Sequence, residues 1–247
     1  MPEDMVPVGL DTLMDFRCSP ENECFNDCCR DLNQALTPYD VFRLRKNRDM
    51  RSQDFLKKYT SLHHGLRSGL PVVEFKPNPE TGHACPFVTP EGCSVYKDRP
   101  ASCRMYPLAR AITRSRTTGE VSEFFARIEE PHCKGFGAKS DLTVQEWFKG
   151  QDVQTHNEEN DKLMGLISLK NRILPGKLEG NQADKFYLAL YDLDEFRFLI
   201  FNKNFLETLR VPKTVLENIR ENDEALLDFG IAWVGFVLFG IQPVFED

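Results

Sequence analysis

The chain has 247 residues, 41% of them hydrophobic, which is enough to fill one large core or two small ones without covalent staples. Its net charge of −7 is unevenly placed: residues 1–140 carry 20 Lys and Arg against 19 Asp and Glu, whereas residues 141–247 carry 11 against 19. A near-neutral first half and a strongly acidic second half argue against nucleic acid as the partner.

The N-terminal segment MPEDMVPVGLDTLMDF has acids where a secretion signal has basic residues, and it lacks a continuous apolar stretch. We therefore expect a reducing, cytoplasmic setting, in which a disulfide framework is the weaker account of the cysteines. Those cysteines begin at once. FRCSPENECFNDCC places Cys18, Cys24, Cys28 and Cys29 within twelve residues. A second group, Cys85, Cys93 and Cys103, lies in HACPFVTPEGCSVYKDRPASCRMYP, and Cys133 follows in EEPHCKG. Buried structural cysteines scatter singly; clustering of this kind points to soft-metal coordination.

Between the two groups, Thr37, Pro38 and Asp40 have the chemistry of a helix start, with Val41, Phe42 and Leu44 as its apolar face. Arg43, Arg45, Lys46, Arg48 and Arg51 form a basic run, read as a solvated helix face. Ser52 opens a second helix carrying Phe55, Leu56, Tyr59 and Leu62, with His63 and His64 at its end. From Pro71 the pattern turns to short β-prone pieces broken by Pro and Gly, a loop-rich region suited to ligands. Residues 106–115 and 121–128 read as two strands of a hairpin that delivers the chain to His132 and Cys133.

Beyond residue 139 no cysteine occurs and helical signals take over. Thr143 with Glu146 reads as a capping box, residues 151–174 as a long helix with Leu163, Leu166, Ile167 and Leu174 on one face, and Pro175-Gly176 as its stop. The run 186–191 is too short for periodicity to decide between strand and helix. Asp192 with Glu195, and Thr214 with Glu217, read as further caps. Residues 229–241 are apolar but too few to span a bilayer, so they read as a buried core helix, with no transmembrane segment in the chain. The fold class expected is α+β and predominantly helical: a loop-rich cysteine metal-binding module with a β-hairpin at 1–140, followed by an acidic helical region at 141–247 packed against it.

A zinc site wants four tetrahedral ligands, usually in pairs two to four residues apart. Cys24 and Cys28 suit one such pair, but the gaps of seven and nine residues in the second group are wide for zinc. An iron–sulfur cluster spreads its irons over several ångströms and takes irregular spacing better. Arg99 and Arg104, next to the second group, either offset thiolate charge or are ordinary surface arginines. Adjacent side chains diverge in helix and strand, so Cys28 and Cys29 are strained as joint ligands of one small ion: one of them stands outside the site, or there are two centres. The first group is then half of a site completed by Cys85, Cys93, Cys103 and Cys133.

The run F-x-C…C-x3-C-C-R, then L-T-x-x-D-V-x-R-L, then C-P-F, C-S-V-Y-K-D-R-P-x-x-C-R-x-Y-P and a late C-K-G resembles the YkgJ-type cysteine-cluster family of zinc- or iron-chelating domains. The resemblance covers roughly residues 16–135 and implies metal ligation by Cys18, Cys24, Cys28, Cys29, Cys85, Cys93, Cys103 and Cys133. It departs at the first two cysteines, which have five residues between them where the family commonly has two. Related clusters occur in flagellin lysine methylases, which implies as an alternative an enzyme using the cluster and S-adenosylmethionine. A third reading is a structural zinc module that displays its acidic helices to a protein partner. The leading expectation is a metal-binding protein carrying an iron–sulfur cluster with a redox or cluster-dependent catalytic role.

Overall fold

The computed structural model describes residues 5–30, 34–66, 68–76, 78–115, 117–203, 205–206 and 209–245. In chain order the elements are β1 (Met5–Val8), β2 (Ala35–Leu36), α1 (Pro38–Asn47), α2 (Ser52–Tyr59), β3 (Thr60–His64), β4 (Pro71–Phe75), β5 (Val88–Thr89), β6 (Gly92–Cys93), α3 (Ala101–Met105), β7 (Leu108–Arg114), β8 (Val121–Ile128), α4 (Val144–Gly150), α5 (Val153–Ile173), α6 (Asn181–Leu190), α7 (Leu193–Asn202), α8 (Lys213–Glu221) and α9 (Asp223–Phe239). The fold is α+β, with small antiparallel sheets and a helical C-terminal half. By contact the chain forms two compact units, Met1–Leu32 with Pro77–Asn157, and Asn33–Lys76 with Glu158–Asp247. All eight cysteines fall in the first unit.

In the first unit the expected hairpin is present, β7 pairing with β8 from Leu108↔Arg127 to Arg114↔Val121. β1 adds to its other side, Met5 opposite Ile128, giving the order β1-β8-β7. That third strand has too little alternation to be read from sequence. Beneath the sheet, Met14, Phe16, Met105, Leu108, Val144 and Val153 form a buried cluster, joined at its margin by Tyr106, Cys133, Phe136 and Trp147. The capping box at α4 is as expected: the Thr143 hydroxyl accepts from the Glu146 N–H at 3.2 Å, and the Glu146 carboxylate accepts from the Thr143 N–H at 2.8 Å.

In the second unit β4 lies between β2 and β3. The predicted start of α1 is present in full, with Pro38 in the first turn, the Thr37 hydroxyl accepting from Asp40 and the Asp40 carboxylate accepting from Thr37. α2 ends at Tyr59, earlier than its apolar spacing suggested. Leu62, expected on its buried face, sits instead on β3 and is 52% exposed. Residues 60–64 pair antiparallel with the Pro71–Phe75 strand, so that alternate residues bond to β4 and the segment leaves the helix at Tyr59. The run 186–191 resolves as helix, most of it in α6. α8 starts at Lys213 after Pro212 and has no side-chain cap, so Thr214 lies inside the helix and does not cap it. The apolar C-terminal run is a core helix as expected, but it begins further back, at Asp223. There the Asn222 side chain accepts from the N–H groups of Glu224 and Ala225, and Gly240 closes the helix at φ 70°. No helix among the described residues is long and apolar enough to cross a membrane.

Two interior features of this unit escape any local pattern. A Cβ on Gly230 of α9 would lie 2.3 Å from the Ala189 carbonyl oxygen of α6, so only glycine permits this approach. Gly230→Ala is expected to destabilise the protein by about 1–3 kcal/mol, read as a lower urea midpoint; an unchanged midpoint would contradict the close packing. Arg45, placed by sequence on a solvated face, is only 7% exposed. It reaches Asp223 at 2.6 Å and Asp194 at 3.7 Å, and the carboxylates of Asp192 and Asp194 accept hydrogen bonds from the buried Ser52 hydroxyl at 2.6 and 3.0 Å. One member of the basic run thus closes an internal ion network.

Candidate metal centre

Residues 18–26 form a chain of tight turns that runs into a single turn of 3-10 helix at Asp27–Cys29. The Asn22 carboxamide accepts from the Ser19 N–H and hydroxyl and donates to the Arg17 carbonyl at 3.1 Å, folding the segment on itself. Asn26 adopts the left-handed conformation at φ 71°, which asparagine tolerates better than most residues. Its side chain then donates to the Thr89 carbonyl at 3.0 Å, tying the first cysteine group to the second. The Cys85 N–H donates to the Cys29 carbonyl at 2.8 Å, a second tie of the same kind.

Cys133 is brought in by strand-like pairing. Phe16 bridges Phe136, the Arg17 N–H donates to the Gly135 carbonyl at 2.9 Å, and Gly137 donates to Asp15 at 2.9 Å. Gly135 has to be glycine here, because a Cβ would lie 2.6 Å from the Phe16 ring and 2.8 Å from the Arg17 carbonyl. The Lys134 N–H donates to Cys24 Sγ at 3.0 Å. A backbone N–H aimed at a sulfur stabilises the thiolate, the form that binds a metal.

One cavity results. Cys18, Cys24, Cys28 and Cys133 line it together with Phe16, Asn22, Tyr106, His132 and Gly135. Cys29, Cys85 and Cys93 do not line it but lie close by: Cys93 acts electrostatically on Cys85 and Cys28 acts on both, while the Cys28 thiol is hydrogen-bonded to Cys29. Cys28 thus stands at the junction of two thiol groups. Cys103 is half-buried on α3. No disulfide joins any of the eight cysteines.

The electrostatics describe a site costly to ionise without a cation. Burial, then Cys28, Cys24 and Cys133, raises the Cys18 thiol. The hydrogen bond to Cys29, with burial, raises Cys28, and burial pushes Cys85 up to about 11. Burial also raises Cys93, against an opposing pull from the Val95 backbone and Arg99. Arg99 and Arg104 are not surface arginines: they are 7% and 3% exposed. The Arg104 guanidinium is committed to the carbonyls of Arg99, Gln151 and Lys97, whereas Arg99 lies over the Tyr96 ring, 3.8 Å from its centroid, and faces Cys93 as a cation. His63 and His64 belong to the second unit, where His63 is 3.5 Å from Glu74 and His64 3.1 Å from the Leu178 carbonyl.

Tyr106, Asn22 and His132 were not singled out by sequence reasoning as parts of the site, although Tyr106 and His132 stand within three residues of Cys103 or beside Cys133. The Tyr106 hydroxyl is buried with no acceptor in full hydrogen-bond geometry, Cys133 and Glu130 being the polar groups within its reach. That orphaned donor, and a lining of four soft sulfurs, fit a thiolate-held metal centre. Among the described residues no group of three or more His, Cys, Asp or Glu side chains is drawn together closely enough to cage a bare ion.

Residues 17–147, more than half of the chain, match the model of the family CxxCxxCC, described as "Putative zinc- or iron-chelating domain". The protein belongs to the CxxCxxCC family. The match spans every one of the eight cysteines, and it supports metal binding by zinc or iron. The family's name implies two residues between its first cysteines, whereas this CxxCxxCC chain has five between Cys18 and Cys24 and three between Cys24 and Cys28. Those extra residues are the turns that Asn22 and Asn26 stabilise. Neither the curated proteins nor the solved structures contain a match to the chain.

Proposed function

We propose that this CxxCxxCC protein carries an iron–sulfur cluster, held chiefly by Cys18, Cys24, Cys28 and Cys133, and serves electron transfer or cluster-dependent catalysis. The observation that carries the reading is the single cavity lined by these four thiols. Their spread favours a cluster over one zinc ion, because four thiolates on zinc must converge to about 2.3 Å from a point, whereas cluster irons each take one thiolate from a wider frame. When bound, the cluster supplies one-electron redox chemistry. The chain's own residues do the rest. Phe16 and Tyr106 wall the cavity, the Lys134 N–H supports the Cys24 sulfur, and Arg99 places positive charge beside Cys93. Cys29, Cys85 and Cys93 lie beside these four, next to Cys28. Because Cys18 and Cys28 are raised, loading the site displaces their protons. A thiolate-held centre of this kind suits a reducing compartment, so we place the protein in the cytoplasm.

Zinc is the second reading, favoured by the family description and by the spacing of Cys24 and Cys28. Anaerobic purification followed by metal and acid-labile sulfide analysis, with visible and EPR spectra, separates the two. We expect coloured protein with iron and sulfide; colourless protein with stoichiometric zinc and no iron would overturn the cluster. Binding of S-adenosylmethionine to the iron-loaded protein would extend the function to methyl transfer, and its absence leaves an electron carrier.

A further inference from the structure

Tyr106 lies between the core and the cysteine cavity of the first unit. Its ring meets Phe16 edge-on, with centroids 6.4 Å apart and planes at 75°, beside the buried cluster that includes Met105 and Leu108. That packing holds the ring at the cavity wall, and the hydroxyl is buried with no acceptor in full hydrogen-bond geometry among the described residues. It is the only hydroxyl among the side chains lining the cavity. Cys133 shares both the cavity and the core cluster with it; burial first, then the Cys133 thiol and the Glu130 carboxylate, both within hydrogen-bonding reach, raise the hydroxyl above its ordinary value. An unsatisfied buried donor costs about 1–3 kcal/mol. A neutral thiol is a weak acceptor and relieves little of this, whereas a thiolate is a charge-assisted one.

We propose that Tyr106 donates a hydrogen bond to the Cys133 thiolate when the centre is loaded, and thereby raises the reduction potential of that centre. The inference rests on the cavity being a thiolate-held redox centre. An O–H donor withdraws electron density from the sulfur and favours the reduced, more negative state. It also gives the orphaned hydroxyl the acceptor it lacks.

Tyr106→Phe keeps the ring on Phe16 and removes only the donor. In the full chain reconstituted anaerobically with ferrous iron and sulfide, the variant should hold as much iron and sulfide as the wild type. It should show a lower midpoint potential by spectroelectrochemical titration, and it should lose iron to a chelator several-fold faster. Glu130→Gln separates the two acceptors: removing a negative charge beside the centre should shift the potential upward, the opposite direction. An iron-loaded Tyr106→Phe variant with the wild-type potential would overturn the proposal and assign the hydroxyl to Glu130. So would a Tyr106→Phe variant that keeps its circular dichroism but cannot load iron, since the residue would then build the site instead of tuning it. Wild-type protein that takes up neither iron nor sulfide is a separate result, and it defeats the reading of the cavity itself.

Discussion

Replacing Cys28 with serine is expected to empty the metal centre, whereas the same change at Cys29 should leave most of the metal in place. The two residues are neighbours in sequence but not in role. Cys28 lines the cavity with Cys18, Cys24 and Cys133 and also faces Cys85 and Cys93. Cys29 lies outside the cavity lining, and its carbonyl is used to hold Cys85. A serine oxygen is a hard ligand with a far weaker hold on iron or zinc than a thiolate. Groups that only orient a ligand are worth about 10–100-fold in affinity, so loss of a ligand at the junction should exceed about 100-fold. Metal-to-protein ratios of the anaerobically purified variants, with circular dichroism to confirm folding, measure this. If Cys29→Ser empties the site as completely as Cys28→Ser, the assignment of Cys28 as the ligand of the pair is wrong.

The largest effect on stability is expected at Arg45, in the second unit. Arg45→Met keeps the length of the side chain but leaves Asp194 and Asp223 facing each other with only Arg197, which pairs with Asp223 and stands 3.9 Å from Asp194. Removing one partner from a buried ion network costs about 3–5 kcal/mol, and the remaining arginine should keep the loss near the low end. The pH dependence has a definite sign. Burial alone would raise the Asp194 carboxyl, but the Ser52 N–H, Arg45, the Ser52 hydroxyl and Arg197 together hold it below its ordinary value. A lowered carboxyl pKa stabilises the fold above the unfolded pKa of about 3.9, and that stability is lost as pH falls through the lower folded value. Without Arg45 the folded value rises, so acid unfolding should begin at a higher pH than in the wild type. Urea and acid titrations followed by circular dichroism test both effects; midpoints equal to those of the wild type would show that the network contributes nothing.

Local chemistry was legible wherever neighbours along the chain decide the outcome. Thr37 and Asp40, Thr143 and Glu146, and Asp192 and Glu195 each cap a helix within one turn, and the caps are present where the residues predict them. The β7–β8 hairpin is likewise a local event. Most of the misplacements come from partners distant in sequence. Leu62 was drawn into β3 by pairing with residues eleven positions on, and Arg45 was drawn inside by Asp223, 178 residues away. Thr214 lost its cap role because the proline before it already starts the helix. Arg104 was buried by carbonyls of the loops around it, which hydropathy does not register.

The amino-acid sequence by itself determined that eight thiols gather in one stretch of this protein, in a pattern specific enough to mark its family, and that a helical, acidic segment follows. Thiol number, spacing and helix caps are properties of consecutive residues. Only the tertiary structure decided which thiols share a cavity: Cys18, Cys24 and Cys28 with Cys133, more than a hundred residues later, while Cys29 falls outside. It also gave the residues around residue 50 the same unit as the C-terminal helices and left every cysteine in the other. The physical reason is that backbone pairing across Phe16 and Phe136, a glycine at 135 and an orphaned tyrosyl hydroxyl are facts of approach between distant segments, and no local pattern encodes them.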